Sequence, residues 1–247
     1  MINNIPPVTK NLLIINVLFF VAKMVFESKG ISLDVILGAF YPESPNFQPW
    51  QIITHMFMHG NFAHILFNMF GLWMFGSVVE QTIGAKKYLM LYFLAGLCGF
   101  ALFNLVNYVD VQSLKEQVYA AGFDIHEIKQ MAQLNLQGEY RLSNAVNNNA
   151  VAKDLLAQYI TPMVGASGAI YGLLVAFAVL FPDAKLMMIF LPIPIKAKYF
   201  IPIILLLELY SGMNQSASTI AHFAHLGGAL VGWLFIRNWK KNQFRKW

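Results

Sequence analysis

Ser167 stands between Gly165-Ala166 and Gly168, at the mouth of an apolar run. A hydroxyl flanked by residues without bulk is open to approach, which suits a nucleophile. Serine attacks poorly until a base takes its proton. Candidate bases are close at hand in type. His222 and His225 sit three apart in a second apolar run, and His55, His59 and His64 in a third, with Asn68 one helical turn after His64. Acyl transfer also needs donors aimed at a developing oxyanion. His64, the Asn68 amide and the backbone N–H of Ser167 are of the right kind. Tyr171, four residues after Ser167, falls one turn along the same helix face and could orient an imidazole by stacking beneath it. No aspartate sits nearby in sequence to complete a triad. The His-Glu-x-x-His pattern of zinc peptidases is also absent, which argues against a metal.

The elements that must position these groups are membrane helices. The chain has 247 residues, 57% hydrophobic and only 12% charged, with a mean hydropathy of +0.54. Soluble domains carry about 25% charged residues, so a multi-pass membrane protein is expected. Net charge is +5, but the basic residues are scattered over several loops, which excludes nucleic-acid binding as the main role. The single cysteine, Cys98, rules out an intrachain disulfide and suggests core packing. The first apolar run has no small-residue cleavage site after it and is expected to be a retained span.

Six spans are expected, making an all-α bundle: roughly Asn11–Phe26, Ile52–Ile83, Tyr88–Tyr108, Gly165–Phe181, Tyr199–Tyr210 and Thr219–Ile236. Lys23 should snorkel to the interface. The loop from Glu27 to Trp50 should lie against the membrane surface. Residues 110–160 hold most of the loop charge and form an extramembrane insertion within a single domain 1–247, with one or two amphipathic helices and an Asn-rich turn over Asn144–Asn149. Pro192-Ile193-Pro194 and its lysines make a basic loop. Glu208 is expected as a polar contact near the outer end of a mobile fifth span, in either a structural or a gating role.

Of the 17 basic residues, eleven fall on one side of such a bundle and five on the other. The positive-inside rule then puts both termini in the cytoplasm, here of a bacterial inner membrane. Spans two, four and six enter from outside, so His59, His64, Ser167, His222 and His225 all lie in the outer half. The fourth span is short. At 1.5 Å per residue its 17 residues cover about 25 Å, against a hydrocarbon core of about 30 Å. Met163 and Val164 then become non-helical backbone at membrane depth, tolerated only inside protein or beside water. Gly168 and Gly172 form one close-approach face, and Gly228 and Gly232 another. Packed together, these faces would bring the serine helix to the histidine helix.

These residues carry a resemblance. The motif Gly165-Ala166-Ser167-Gly168, the tract His59-Gly60-Asn61-Phe62-Ala63-His64-Ile65-Leu66-Phe67-Asn68, Glu80 with Gly84 at the following turn, and Ala224-His225-Leu226-Gly227-Gly228 occur in order on the expected helices. The chain resembles the rhomboid intramembrane serine proteases. The resemblance implies a six-helix rhomboid-like bundle, Ser167 as nucleophile, His225 as base, His64 and Asn68 at the oxyanion, and support from Tyr171, Gly165, Gly168 and His59. It implies single-span transmembrane protein substrates cut within or near the bilayer, and no cofactor. Trp50-Gln51 stands where the family's first loop often has Trp-Arg, and the insertion is longer than in compact members.

Overall fold

The computed structural model describes residues 5–188, 191–214 and 219–243. Its order is α1 (Pro7–Glu27), α2 (Leu33–Leu37), α3 (Gln51–Thr54), a 3₁₀ turn (His55–Phe57), α4 (Phe62–Gly71), a π segment (Leu72–Gly76), α5 (Ser77–Ile83) and α6 (Ala85–Ala120). Then come α7 (Ile125–Met131), α8 (Asn144–Asn147), α9 (Ala150–Ile160), α10 (Ser167–Leu180), β1 (Lys185–Met188), β2 (Leu191–Lys196), α11 (Ala197–Asn214) and α12 (Thr219–Gln243). The protein is an all-α polytopic membrane bundle. Among the described residues, three helical stretches are long and apolar enough to cross a bilayer by themselves: Pro7–Glu27, Phe62–Ile83 and Ala85–Ala120. α10 is apolar but shorter. Ile14, Val17, Leu18 and Val21 on α1, and Ile203, Leu206 and Leu207 on α11, are exposed, as lipid-facing positions should be.

The chain divides into two compact units. One comprises Met1–Ile15, Asn61–Phe103 and Ala166–Trp247, the other Asn16–Gly60 and Asn104–Gly165.

In the first unit, Glu80 ties the start of α1 to α5. Its carboxylate accepts from the Val8 N–H (3.0 Å), the Thr9 N–H (2.7 Å) and the Thr9 hydroxyl (2.8 Å). These donors belong to the first turn of α1, where backbone N–H groups have no helical partner and an anion is favoured. Gly84, at φ +83°, ends α5 and reverses the chain into α6. α10 packs on α12 through the two glycine faces expected from the sequence. A methyl built on Gly228 would overlap the Gly168 carbonyl, and one on Gly232 would overlap that of Gly172. The basic loop after α10 is in fact an antiparallel strand pair, β1 with β2. Asp183 pairs there with Lys196 (3.0 Å) and Lys198 (2.9 Å), and these ammonium groups hold its carboxyl below the usual range. Cys98 is exposed, not packed in the core, because α6 turns Gly99 to α12 instead, with room for no more than a hydrogen against the Ala224 carbonyl.

In the second unit, Gln51 anchors the first loop. Its side-chain carbonyl accepts from Gln48 N–H (3.0 Å), and its amide donates to the carbonyls of Asn46 (3.1 Å) and Val35 (3.3 Å). The residue is fully buried. Trp50 donates its indole N–H to the Ile36 carbonyl at 2.9 Å. Lys23 does not snorkel. It is buried, with Nζ 2.6 Å from the Asp34 carboxylate and 3.0 Å from the His59 carbonyl, so charge and hydrogen-bond partners stand in for water.

The insertion has its own core of Val111, Val118, Ile128, Leu155 and Tyr159, with Tyr41 from the first loop packed among them. Residues 111–120, expected to open the insertion, are the last turns of α6, which runs about 54 Å at 1.5 Å per residue. Asn144–Asn147 is a short helix, not a turn, because the Ser143 hydroxyl caps it by accepting from the Val146 N–H. Met163 exchanges both backbone hydrogen bonds with Ala39 (2.9 and 2.8 Å). The non-helical backbone expected before Ser167 is thus satisfied by protein.

Candidate active site

α10 begins at Ser167 itself. Residue 166 is an alanine and offers no side-chain cap. The first i→i−4 bond of the helix runs from the Ile170 N–H to the Ala166 carbonyl. The N–H groups of Ser167, Gly168 and Ala169 therefore precede the helical ladder, at the end of the helix where partial positive charge gathers. A nucleophile at this point has anion-stabilising donors on its own backbone.

α12 brings its histidines to the same place. His225 Nε2 lies 2.8 Å from Ser167 Oγ. The Tyr171 ring stacks on the imidazole with centroids 4.1 Å apart and planes 6° from parallel. The glycine faces explain the approach. The His225 side chain reaches Ser167 because Gly228, one turn further on, lets the backbones of α12 and α10 meet. Ala224, Gly228 and Gly232 carry nothing larger than a methyl against Gly168 and Gly172 of α10, while Gly227 faces Cys98 and Gly99 of α6.

α11 supplies an acid whose partners the sequence does not name. Glu208 Oε2 lies 3.0 Å from His225 Nδ1 and 2.5 Å from His222 Nδ1, and the Tyr171 hydroxyl donates to Oε1. Glu208 is the polar contact expected, and its partners are both α12 histidines, so an acid lies beside them in space though not in sequence. It is 17 residues from His225 in sequence, on another helix, which is why no spacing rule finds it. An ionisable residue in an apolar helix was the one available signal. The side chains of Glu208, His222 and His225 are 15%, 22% and 14% exposed, partly shielded from water.

α4 carries the other candidates. Asn61 caps the helix, its side-chain oxygen accepting from the His64 N–H at 2.8 Å. This cap starts the span at Phe62 and not Ile52, and it leaves His55 and His59 in the segment before the span, within the second unit. His55 stays there with its carbonyl accepting from the Gly165 N–H at 2.9 Å. His59 is fully buried, and Gly165 adopts φ +130°, a conformation that suits glycine alone. Asn68 is buried, and its Nδ2 makes no hydrogen bond among the described residues. α4 packs on α10 at Gly71, where a methyl would sit 3.1 Å from Ile170 Cγ2. Ile170 is three residues after Ser167, and Gly71 three after Asn68.

Fold and site together define a polytopic helical membrane protein built around a serine hydrogen-bonded to a histidine. The chain belongs to the rhomboid family: the model of the Rhomboid domain matches residues 46–123 and 137–239. It is 28% identical over 197 residues to an uncharacterised mitochondrial rhomboid protein of Schizosaccharomyces pombe, covering 74% of this chain and 48% of that protein. It is 28% identical to the mitochondrial RHOMBOID-like protein 12 of Arabidopsis thaliana, covering 78% and 47%. With the rhomboid protease GlpG of Haemophilus influenzae it shares 32% identity over 96 residues, covering 38% and 50%. The chain spans about half the length of these curated relatives. Two of the three carry mitochondrial names, so these similarities do not support the bacterial inner membrane expected from the sequence.

Proposed function

We propose that this protein is an intramembrane serine endopeptidase, with Ser167 as nucleophile and His225 as base. The 2.8 Å contact between His225 Nε2 and Ser167 Oγ carries the reading. In the first half-reaction Oγ bonds to the substrate carbonyl carbon while its proton passes to Nε2. Collapse of the tetrahedral intermediate breaks the C–N bond, and the imidazolium returns that proton to the leaving amine. Water then repeats the sequence on the acyl-enzyme, giving its proton to Nε2 and releasing Ser167.

The oxyanion of each intermediate is met by the Ser167 N–H and by Asn68 and His64. The buried, unengaged Nδ2 of Asn68 supports this assignment, because a buried donor without a partner is costly unless a ligand takes it up. The contact of Gly71 with Ile170, each three residues after Asn68 and Ser167, supports bringing the two residues to one site.

Substrates are single-span membrane proteins cut near the outer face, and the bilayer is the partner that presents them. Hydrolysis needs an extended backbone, whereas a membrane helix has its carbonyls already bonded. Small or helix-weak residues at the cut site are therefore favoured.

The test is incubation of purified protein, in bilayers, with a panel of single-span substrates. Cleavage is expected with the unaltered protein and none with Ser167→Ala. Asn68→Ala is expected to lower kcat about tenfold to a thousandfold with little change in KM, the scale for one oxyanion donor. Cleavage persisting in Ser167→Ala would overturn the proposal. Unchanged turnover in folded Asn68→Ala would remove that residue from the mechanism.

A further inference from the structure

We propose that Glu208 is a positioning residue for His225, holding its imidazole as the Nδ1–H tautomer so that the Nε2 lone pair faces Ser167. The inference rests on the assignment of Ser167 and His225 above.

The chemistry of the donors leads to it. An ionised carboxylate only accepts hydrogen bonds. The 3.0 Å contact between Glu208 Oε2 and His225 Nδ1 therefore requires the proton on Nδ1. A neutral imidazole with its proton there presents a bare Nε2, and that nitrogen is the one 2.8 Å from Ser167 Oγ. The opposite tautomer would set a lone pair against the carboxylate and point an N–H at the hydroxyl whose proton must be taken. Glu208 thus selects the tautomer that can act as a base.

The carboxylate is itself fixed. The Tyr171 hydroxyl donates to Oε1, and His222 Nδ1 shares Oε2. His222 Nδ1 must also be protonated to do so, and the two imidazoles meet edge to face at 89°. Tyr171 acts twice, with its hydroxyl on Glu208 and its ring against the His225 face. The imidazole is held at one edge by Glu208 and on one face by Tyr171, which leaves it a single orientation. When Ser167 gives up its proton, the imidazolium that forms lies beside a carboxylate in a partly desolvated site, where opposite charges attract strongly. An acid in an apolar helix is costly, and here each of its oxygens is occupied by groups of the site.

Three readouts test the role. In protein labelled with ¹⁵N-histidine, the His225 signals should report the Nδ1–H tautomer in the unaltered protein, and a mixture or the Nε2–H tautomer in Glu208→Leu. The assignment of these signals comes from their loss in His225→Ala. In cleavage assays, Glu208→Leu should lower kcat at least a hundredfold with KM held within twofold. Glu208→Gln is the conservative variant and guards against misfolding. Its amide oxygen can still accept from Nδ1–H while the Tyr171 hydroxyl rotates to accept from its NH₂. It should keep the tautomer, lose the charge, and fall about tenfold in kcat. Fluorophosphonate labelling of Ser167 should slow in step with kcat.

An Nε2–H tautomer in the unaltered protein would overturn the proposal whether or not cleavage is seen. So would kcat within twofold of normal in both variants, with Ser167 still labelled, and this outcome leaves the serine mechanism standing. Absence of Ser167 labelling in the unaltered protein would instead sink the serine mechanism. The ligand atoms of Glu208, His222 and His225 lie within 4.8 Å of one another, close enough to share a metal ion. Stoichiometric zinc surviving a chelator wash and lost in both Glu208 variants would overturn the positioning role in favour of a metal cluster.

Discussion

His225→Ala abolishes both substrate cleavage and fluorophosphonate labelling of Ser167, whereas His222→Ala keeps a measurable part of each: that is the expected result of separating the two α12 histidines. Both rings meet Glu208 through Nδ1, so contact with the carboxylate does not distinguish them. Contact with the hydroxyl does. His225 Nε2 is at hydrogen-bond distance from Ser167 Oγ, and Tyr171 stacks on His225 alone of the two. On the proposed mechanism His225→Ala leaves the serine no base, and rates should fall by the several orders of magnitude seen when a triad member is lost. Without His222 the carboxylate loses one of three donors but keeps Tyr171 and His225. The check is a paired measurement of cleavage and covalent labelling on equally folded variants. Activity in His225→Ala beside its loss in His222→Ala would reverse the assignment.

Gly228→Val is expected to reduce turnover at least a hundredfold, although residue 228 takes no part in the chemistry. A β-carbon there would overlap the Gly168 carbonyl, carbonyl carbon and Cα. These are backbone atoms, so relief comes only if α12 and α10 separate. Gly168 adjoins Ser167, and His225 lies one turn from Gly228, so the separation acts directly on the Ser–His distance. A displacement of about 1 Å costs on the order of a hundredfold in rate. Gly122→Ala is the contrast. Gly122 turns the chain in the insertion at φ +82° with open space around its Cα. That change costs about 1–2 kcal/mol of backbone strain and should leave kcat unchanged. Thermal unfolding and cleavage measured on both variants check the distinction. A Gly228→Val protein with normal turnover would show that α10 and α12 need not pack so closely.

The sequence made the helix contact legible because glycine spacing states a physical demand. Two faces of glycines four apart can meet where larger residues cannot, and the structure packs them so. Ser167, Tyr171 and His225 were readable for the same reason, since their helix positions follow from spacing along α10 and α12. Family membership was legible from motifs that recur in order. Helix starts were less so. The second span looks apolar back to Ile52, but Asn61 caps α4 and throws His55 and His59 into the preceding segment. Periodicity in residues 111–136 did not reveal that α6 continues unbroken to Ala120, because a membrane helix and an amphipathic helix share one period. Lys23 reads as a snorkelling residue because its partners, Asp34 and the His59 carbonyl, are distant in sequence. The partners of Glu208 were hidden for the same cause. A single acid in an apolar run announces a cost, but only the arrangement of α10, α11 and α12 shows that two imidazoles and a phenol meet it.

On the proposed mechanism, His225 activates Ser167 without a metal. The most direct measurement is mass-spectrometric mapping of fluorophosphonate label on the purified, membrane-reconstituted protein, with and without chelator, beside a cleavage assay. Label on Ser167 alone, cleavage lost in proportion to labelling, and indifference of both to chelator are the predicted results. Cleavage lost to chelator and restored by zinc, with Ser167 left unlabelled, would contradict it.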